Sequence, residues 1–353
     1  MLHDNNTPFA ALAFDQWHPN GSTMAVVSAR ARITIAPDGA QFYVPDVELV
    51  LADKFAGDPH KTPLLLVNDL IPYKPSADVT LAATLQAAEP TTSLLGQVRA
   101  GDRTTTIRGV GERKWFFDTR WRLSDPEPIQ SLDVCYTKAS GGRIIGDPDG
   151  EVDPENPIGA GVVHPEYTPK SREYVAPQID DPNDPITGDI NSRPRVVGLG
   201  AVPPWWARRL SFAGTYDKEW EDNVHPRLPT DFDYRHYQVA PSDLVLNGYI
   251  LPGMTVETSG FRPNGAAFSF QIPDIAAVAR FSFTDGREVW ARLHIDGLHL
   301  DLTQVTPTYD LTMRTWIETC PSLYRVDLDV MTQKDAADLR LPVSGHEGLI
   351  EAG

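Results

Sequence analysis

The sequence predicts a mostly β protein: two strand-rich parts, sandwich- or barrel-like, bracketing a long irregular Pro/Gly/Asp-rich segment, with little helix. Two observations carry this expectation. Apolar and polar residues alternate along residues 1–139 and 242–353, as in strands with one face buried. Between them, residues 140–241 are crowded with Gly, Pro and Asp. Proline there removes backbone donors and fixes φ, so neither ladder nor helix persists. The predicted division is therefore an N-terminal β domain (1–139), an irregular segment (140–241) and a C-terminal β domain with a polar tail (242–353).

Taken in order, Ala25–Ile35 (AVVSARARITI) alternates small or apolar with polar residues and ends at the Asp38-Gly39 turn. Asp78–Gln86 and Leu94–Ala100 alternate likewise, and Gly101-Asp102 leads into the β-branched run Thr104–Ile107. The aromatic-rich Lys114–Leu123 predicts one further strand. In the middle segment Val162, Tyr167, Tyr174 and Ile186 provide anchors, which predicts ordered coil. After Pro241, Asn247-Gly248 inside LVLNGYIL predicts a hairpin, because both residues tolerate φ > 0. Asn264-Gly265 and Thr284-Asp285-Gly286 mark further turns, and a hairpin is expected around Gly297. Gln333–Leu341 is the one short helix expected in this part.

Composition narrows the function. The formal net charge is -17, which opposes nucleic acid and anionic membrane, since both need a basic footprint. No basic n-region precedes an apolar stretch at the N-terminus, and no apolar run approaches the roughly 18 residues of a membrane span. The two cysteines, Cys135 and Cys320, are far apart and are expected as buried thiols of a reducing compartment. A cytoplasmic protein without membrane insertion is expected, with no cofactor and no metal.

Three groups of residues were weighed as chemistry. The acidic loop 147–155 places acids at alternate positions but lacks the glycine and glutamate spacing of a calcium-binding EF-hand loop. His294-x-Asp296 and His299-x-Asp301 each put an imidazole and a carboxylate on one strand face. Asp231, Asp233 and His236 are the residue types of general acid–base work, and carry the alternative reading of a carbohydrate-active hydrolase. Capping turns and accepting bonds from loop amides is what Asp does most often. The block from Gly200 to Pro241 is denser in aromatics: Trp205, Trp206, Tyr216, Trp220, Tyr234 and Tyr237 accompany Arg208, Arg209, Asp217, Asp231, Asp233 and Arg235. Amphipathic rings beside Arg make binding hot spots, and equally hold a coil against a sheet.

The order of these motifs resembles the domain-of-unknown-function 2169 family, associated with bacterial type VI secretion. The resemblance rests on Gly198-x-Gly200-x-x-Pro203-Pro204-Trp205-Trp206-x-Arg208-Arg209, on Ala213–Trp220 (AGTYDKEW), on Arg227–Tyr237 (RLPTDFDYRHY) and on Ala240-Pro241. It extends to Asp69-Leu70-x-Pro72-x-Lys74-Pro75-x-x-Asp78-Val79, to Ser131–Gly142 with Asn156-Pro157-Ile158-Gly159, and to Arg314-Thr315-Trp316. Ala139-Ser140 departs from the Ala-Phe often found before the double glycine. The resemblance implies an adaptor or chaperone, not an enzyme. Its implied partners are a secreted toxic effector, often PAAR-linked, and the spike onto which that effector is loaded.

Overall fold

Period-two patterning decides which face of each strand is buried, and the longest such strand organises the molecule. In the computed structural model, which describes every residue except Met1, Pro148, Cys320, Pro321, 342–348 and Gly353, this strand is Thr23–Ile35. It lies inside a six-stranded sheet built from β1 (Ala10–Trp17), β2 (Thr23–Ile35), β3 (Gln41–Tyr43), β4 (Asp78–Ala82), β5 (His294–Asp301) and β6 (Thr308–Glu318). The order is β1-β2-β6-β5-β4, with β3 paired to the end of β2. The β5–β4 pair is parallel and the others are antiparallel.

The sheet has two unlike faces. Ala29, Ala31 and Ile33 of β2, Leu311 and Met313 of β6, Leu298 and Leu300 of β5, and Val79 and Leu81 of β4 all join the main apolar core. The intervening residues are polar. Register aligns Arg30, Thr312, Gly297 and Asp78 in one row across β2, β6, β5 and β4, and Arg32, Asp310, His299 and Thr80 in the next.

Strand pairing crosses the boundaries drawn from composition. β2 and β4 pair with β6 and β5 from near the other end of the chain, and Ser93–Ala100 pairs with Thr255–Ser259. The molecule is mostly β, with several sheets and no closed barrel among the described residues. Between 140 and 241 the described strands, Tyr174–Val175 and Ile179–Asp180, have two residues each. The helices α1 (Ala207–Leu210), α2 (Lys218–Asn223) and α3 (Gln333–Asp338) are short. No helix among the described residues is long and apolar enough to cross a membrane.

Several local expectations change. Lys114–Leu123 is a hairpin of Lys114–Phe117 and Trp121–Leu123, turning without Gly or Pro. Asn247-Gly248 is a bend and not a hairpin, because its flanks Val245 and Ile250 bridge to Asp78 and Ile295 instead of to each other. No hairpin forms around Gly297, since β5 runs straight through it. Cys135 is half-buried rather than buried, with the Thr137 hydroxyl donating to its sulfur at 3.1 Å; Cys320 lies outside the described residues.

Candidate functional site

Most of the polar face of the main sheet is covered. The stretch Asn68–Val79 folds over it and inserts charges among those of the strands. Asp69 accepts both contacts of Arg30 Nη1, at 3.0 and 3.2 Å, and the Val50 amide at 2.8 Å. Its backbone carbonyl accepts from the Ser28 hydroxyl and from Arg314 Nε. Asp310 accepts from Arg30 at 2.5 Å and from Arg32 at 2.6 and 2.8 Å. Lys74 donates to Asp78 at 2.9 Å, and the same oxygen accepts the Val239 amide at 2.6 Å. Asp296 sits at an irregularity in the β5 register between Ile295 and Gly297. There its carboxylate meets Arg314 and the Thr312 hydroxyl.

Arg30, Arg314, Lys74, Asp69, Asp78, Asp296 and Asp310 are all buried. With the half-exposed Arg32, four cations face four carboxylates, so the cluster is neutral as a whole. A cavity of about 50 Å³ lies among them, enough for ordered water bound to polar walls. Among the described residues Asp78 Oδ1 and Asp296 Oδ2 have no hydrogen-bond partner. Gly297 is needed here: a Cβ would fall 2.3 Å from the Thr312 hydroxyl and 3.6 Å from the Lys74 ammonium.

The aromatic block is stitched to this cluster. Val202 donates to the Val239 carbonyl, and Gln238 to the Ser76 hydroxyl at 2.7 Å. Tyr73 stacks on Tyr234 at 4.1 Å and on Trp316 at 5.9 Å. The 68–79, 200–241 and 314–316 motifs therefore meet at one place.

Within the block, the residues singled out from sequence have separate positions. Trp206 is fully buried, edge-on to Tyr136 at 5.0 Å. Trp205 is half-buried and stacks on Phe55 at 5.3 Å. Arg209 is buried and holds the carbonyls of Val202 and His236 at 2.8 Å each; burial pushes its pKa down to about 10. Arg208 is half-buried and lines a second cavity. Asp217 caps α2 by accepting the Trp220 amide at 2.9 Å. Trp220 donates its indole N–H to Arg227 and packs edge-on against Tyr216 at 4.7 Å. Tyr216 itself is 53% exposed. Tyr237 is half-buried against Phe232.

Asp231, Asp233 and His236 each have a different partner. Asp231 accepts the Thr215 amide and hydroxyl, which hold its carboxyl below the usual range. Asp233 is held low by Arg235 at 2.5 Å, and Arg235 lies over the Phe212 ring. The His236 Nδ1 contacts the Arg209 carbonyl at 2.9 Å, and burial pushes its pKa down. A general acid at neutral pH needs the opposite shift of a carboxyl. The His–Asp pairs of β5 are likewise dispersed: His294 stacks on Tyr249, Asp296 meets Arg314, His299 meets Thr80, and Asp301 accepts from Thr303. In the acidic loop, Asp147 and Asp153 accept amides of Asp149 and Glu155; Pro148 lies outside the described residues.

Sequence reasoning by residue type missed the buried cluster. Its signal was present, since Ser28, Arg30 and Arg32 occupy alternate positions of a strand whose other positions are apolar, and Asp310, Thr312 and Arg314 repeat the pattern. No curated protein and no solved structure gives a match to this chain. One family profile does match, over residues 20–314 of the 353, and its description is "uncharacterized protein conserved in bacteria (DUF2169)". That span holds the cluster, the Tyr73–Tyr234 stack and the whole block, ending two residues before Trp316, and the chain belongs to this family.

Proposed function

We propose that this protein is a cytoplasmic adaptor that holds a type VI secretion effector, often a PAAR-linked one, and helps load it onto the secretion spike. The observation that carries this reading is the outer side of the aromatic block. There Leu210, 56% exposed, Tyr216, 53% exposed, and the exposed Arg235 stand in solvent, while Trp206 and Arg209, at the start of α1 and within it, are buried. A segment anchored by Trp206 and Arg209 with an aromatic ring, an aliphatic side chain and Arg outward has the make-up of a binding hot spot. The acids of the block are committed to caps and turns, so this reading gives them structural roles and assigns no catalytic residue.

The test is co-expression with the products of the genes that flank this one, followed by affinity purification at physiological salt. The effector is expected to co-purify, and Tyr216→Ala with Leu210→Ser is expected to weaken its retention at least tenfold with an unchanged circular dichroism spectrum. Recovery of neither effector nor spike component refutes the adaptor reading.

A further inference from the structure

A cavity of about 390 Å³ opens beside α1, with Tyr136, Val202 and Trp206 in its apolar wall and Arg193, Arg208 and Glu155 in its polar one. That volume lies in the range of built ligand sites. A smaller hollow of about 70 Å³, walled by Trp115, Val163, Ile186 and Ile190, shares Asp153, Arg193 and Pro194 with it. The two hollows form one elongated groove along the irregular segment.

The charges in this groove are unequally satisfied. Arg195 is taken by Asp181 and Asp243, at 2.6 and 2.7 Å. Arg193 donates to the carbonyls of Ile190 and Ser192. The Arg208 side chain has no hydrogen bond or ion pair among the described residues, and burial pushes its pKa down. At the rim, Glu155 is exposed and has no ion pair among the described residues. Between the hollows the half-buried Asp153 accepts the Glu155 amide, so Arg208 is the half-buried cation with unused donors and the rim at Glu155 is acidic.

A half-buried guanidinium without a protein partner keeps unused donors facing the cavity, and a carboxylate meeting its fork supplies two charge-assisted hydrogen bonds. The elongated shape, the apolar second hollow and the acidic rim favour an extended chain over a compact molecule. We infer that this groove binds an extended peptide segment by a carboxylate seated against Arg208, with an aliphatic side chain in the smaller hollow and basic residues at the rim. The segment belongs to the client, so its source rests on the adaptor reading. The carboxylate is that of an acidic side chain or of a chain terminus.

Fluorescence anisotropy on the full chain with three labelled pentapeptides tests this. Lys-Val-Asp-Val-Lys amide carries a side-chain carboxylate, Lys-Lys-Val-Asn-Val with a free end carries a terminal one, and Lys-Val-Asn-Val-Lys amide carries none. At least one carboxylate peptide is expected to bind tenfold more tightly than the last, and which one identifies the source. Arg208→Gln is expected to abolish the preference and Arg208→Lys to retain part of it, both with an unchanged thermal midpoint. Glu155→Lys, at an exposed position, is expected to weaken the preferred peptide at least fivefold through its basic ends. Equal binding of all three peptides, a preference that survives Arg208→Gln, or no effect of Glu155→Lys overturns the inference. If a client co-purifies but no peptide is preferred, only the groove is refuted; preferred peptides without any client refute only the adaptor.

Discussion

Replacing Asp310 by Asn tests whether the charged face of the main sheet supports the fold. The change preserves shape and removes one carboxylate that receives three guanidinium contacts between 2.5 and 2.8 Å. The Arg30–Asp310 pair is buried, with side-chain exposures of 5% and 4%. Removing one member of such a pair costs about 3–5 kcal/mol, because the remaining charge cannot return to water. Arg30 keeps Asp69 at 3.0 Å and Asn still accepts a hydrogen bond, so the lower end, about 3 kcal/mol, is expected. With a urea slope of about 3 kcal/mol per M, the unfolding midpoint falls by about 1 M at constant slope.

The pH dependence supplies an independent check. Burial pushes the Asp310 carboxyl up, but the Arg32 hydrogen bond and the Arg30 charge outweigh it and leave it below the usual range. A carboxylate with a depressed folded pKa stabilises fully above the unfolded value of about 3.9 and loses that contribution as pH falls through the folded value. The difference between wild type and Asp310→Asn is thus level from pH 7 to about pH 5 and narrows below about pH 4. A midpoint change under about 0.3 M at neutral pH, or a difference that does not narrow in acid, would falsify this account of the cluster.

Two further outcomes are expected from thermal and urea unfolding. Trp206→Ala empties a fully buried site and costs about 3–5 kcal/mol, whereas Tyr216→Ala, at 53% exposure, stays within about 0.5 kcal/mol; similar losses at the two sites would mean that the block is not layered as described. Gly142→Ala puts a side chain at φ 85° and a Cβ 2.5 Å from the Gly159 carbonyl, so it loses at least about 1–3 kcal/mol from backbone strain alone, and an unchanged midpoint rules out the tight clasp between the double glycine and the Asn156–Gly159 stretch.

Much of the fold was legible because strand alternation is a local property. Ala25–Ile35 fell inside β2, and the 276–283 and 288–292 strands flank the expected Thr284-Asp285-Gly286 turn. What pairs with what was not local. Arg30 and Asp310 are 280 residues apart, and neither segment carries a mark of the other. The same non-local pairing turned Asn247-Gly248 from a hairpin turn into a bend, since the partners of its flanks lie on other strands. Turn chemistry explains the split of Lys114–Leu123, where Asp118-Thr119-Arg120 turns without the usual signal. In the aromatic block, composition marked Trp205 and Trp206 alike. Their burial differs because Trp206 lies inside the cluster of Tyr136, Ile158 and Val202, whereas Trp205 packs on its outside and stacks on Phe55.

The pairing of β2 with β6 also imposes an order on synthesis. A nascent chain that has emerged as far as Pro241 already carries Arg30, Asp69, Lys74 and Asp78 but has neither Asp296, Asp310 nor Arg314. Two adjacent strands of its main sheet do not yet exist, and closing loops of that length is slow. At about 5–20 residues per second, the ribosome keeps those apolar strand faces waiting for several seconds, with Arg30 and Arg32 lacking Asp310 and Asp69 lacking Arg314. A product truncated before Thr308 therefore keeps the Arg30–Asp69 and Lys74–Asp78 pairs and the β1 and β3 neighbours of β2, but loses β6 along the other edge of β2 together with Asp310 and Arg314, and so exposes an unpaired strand edge.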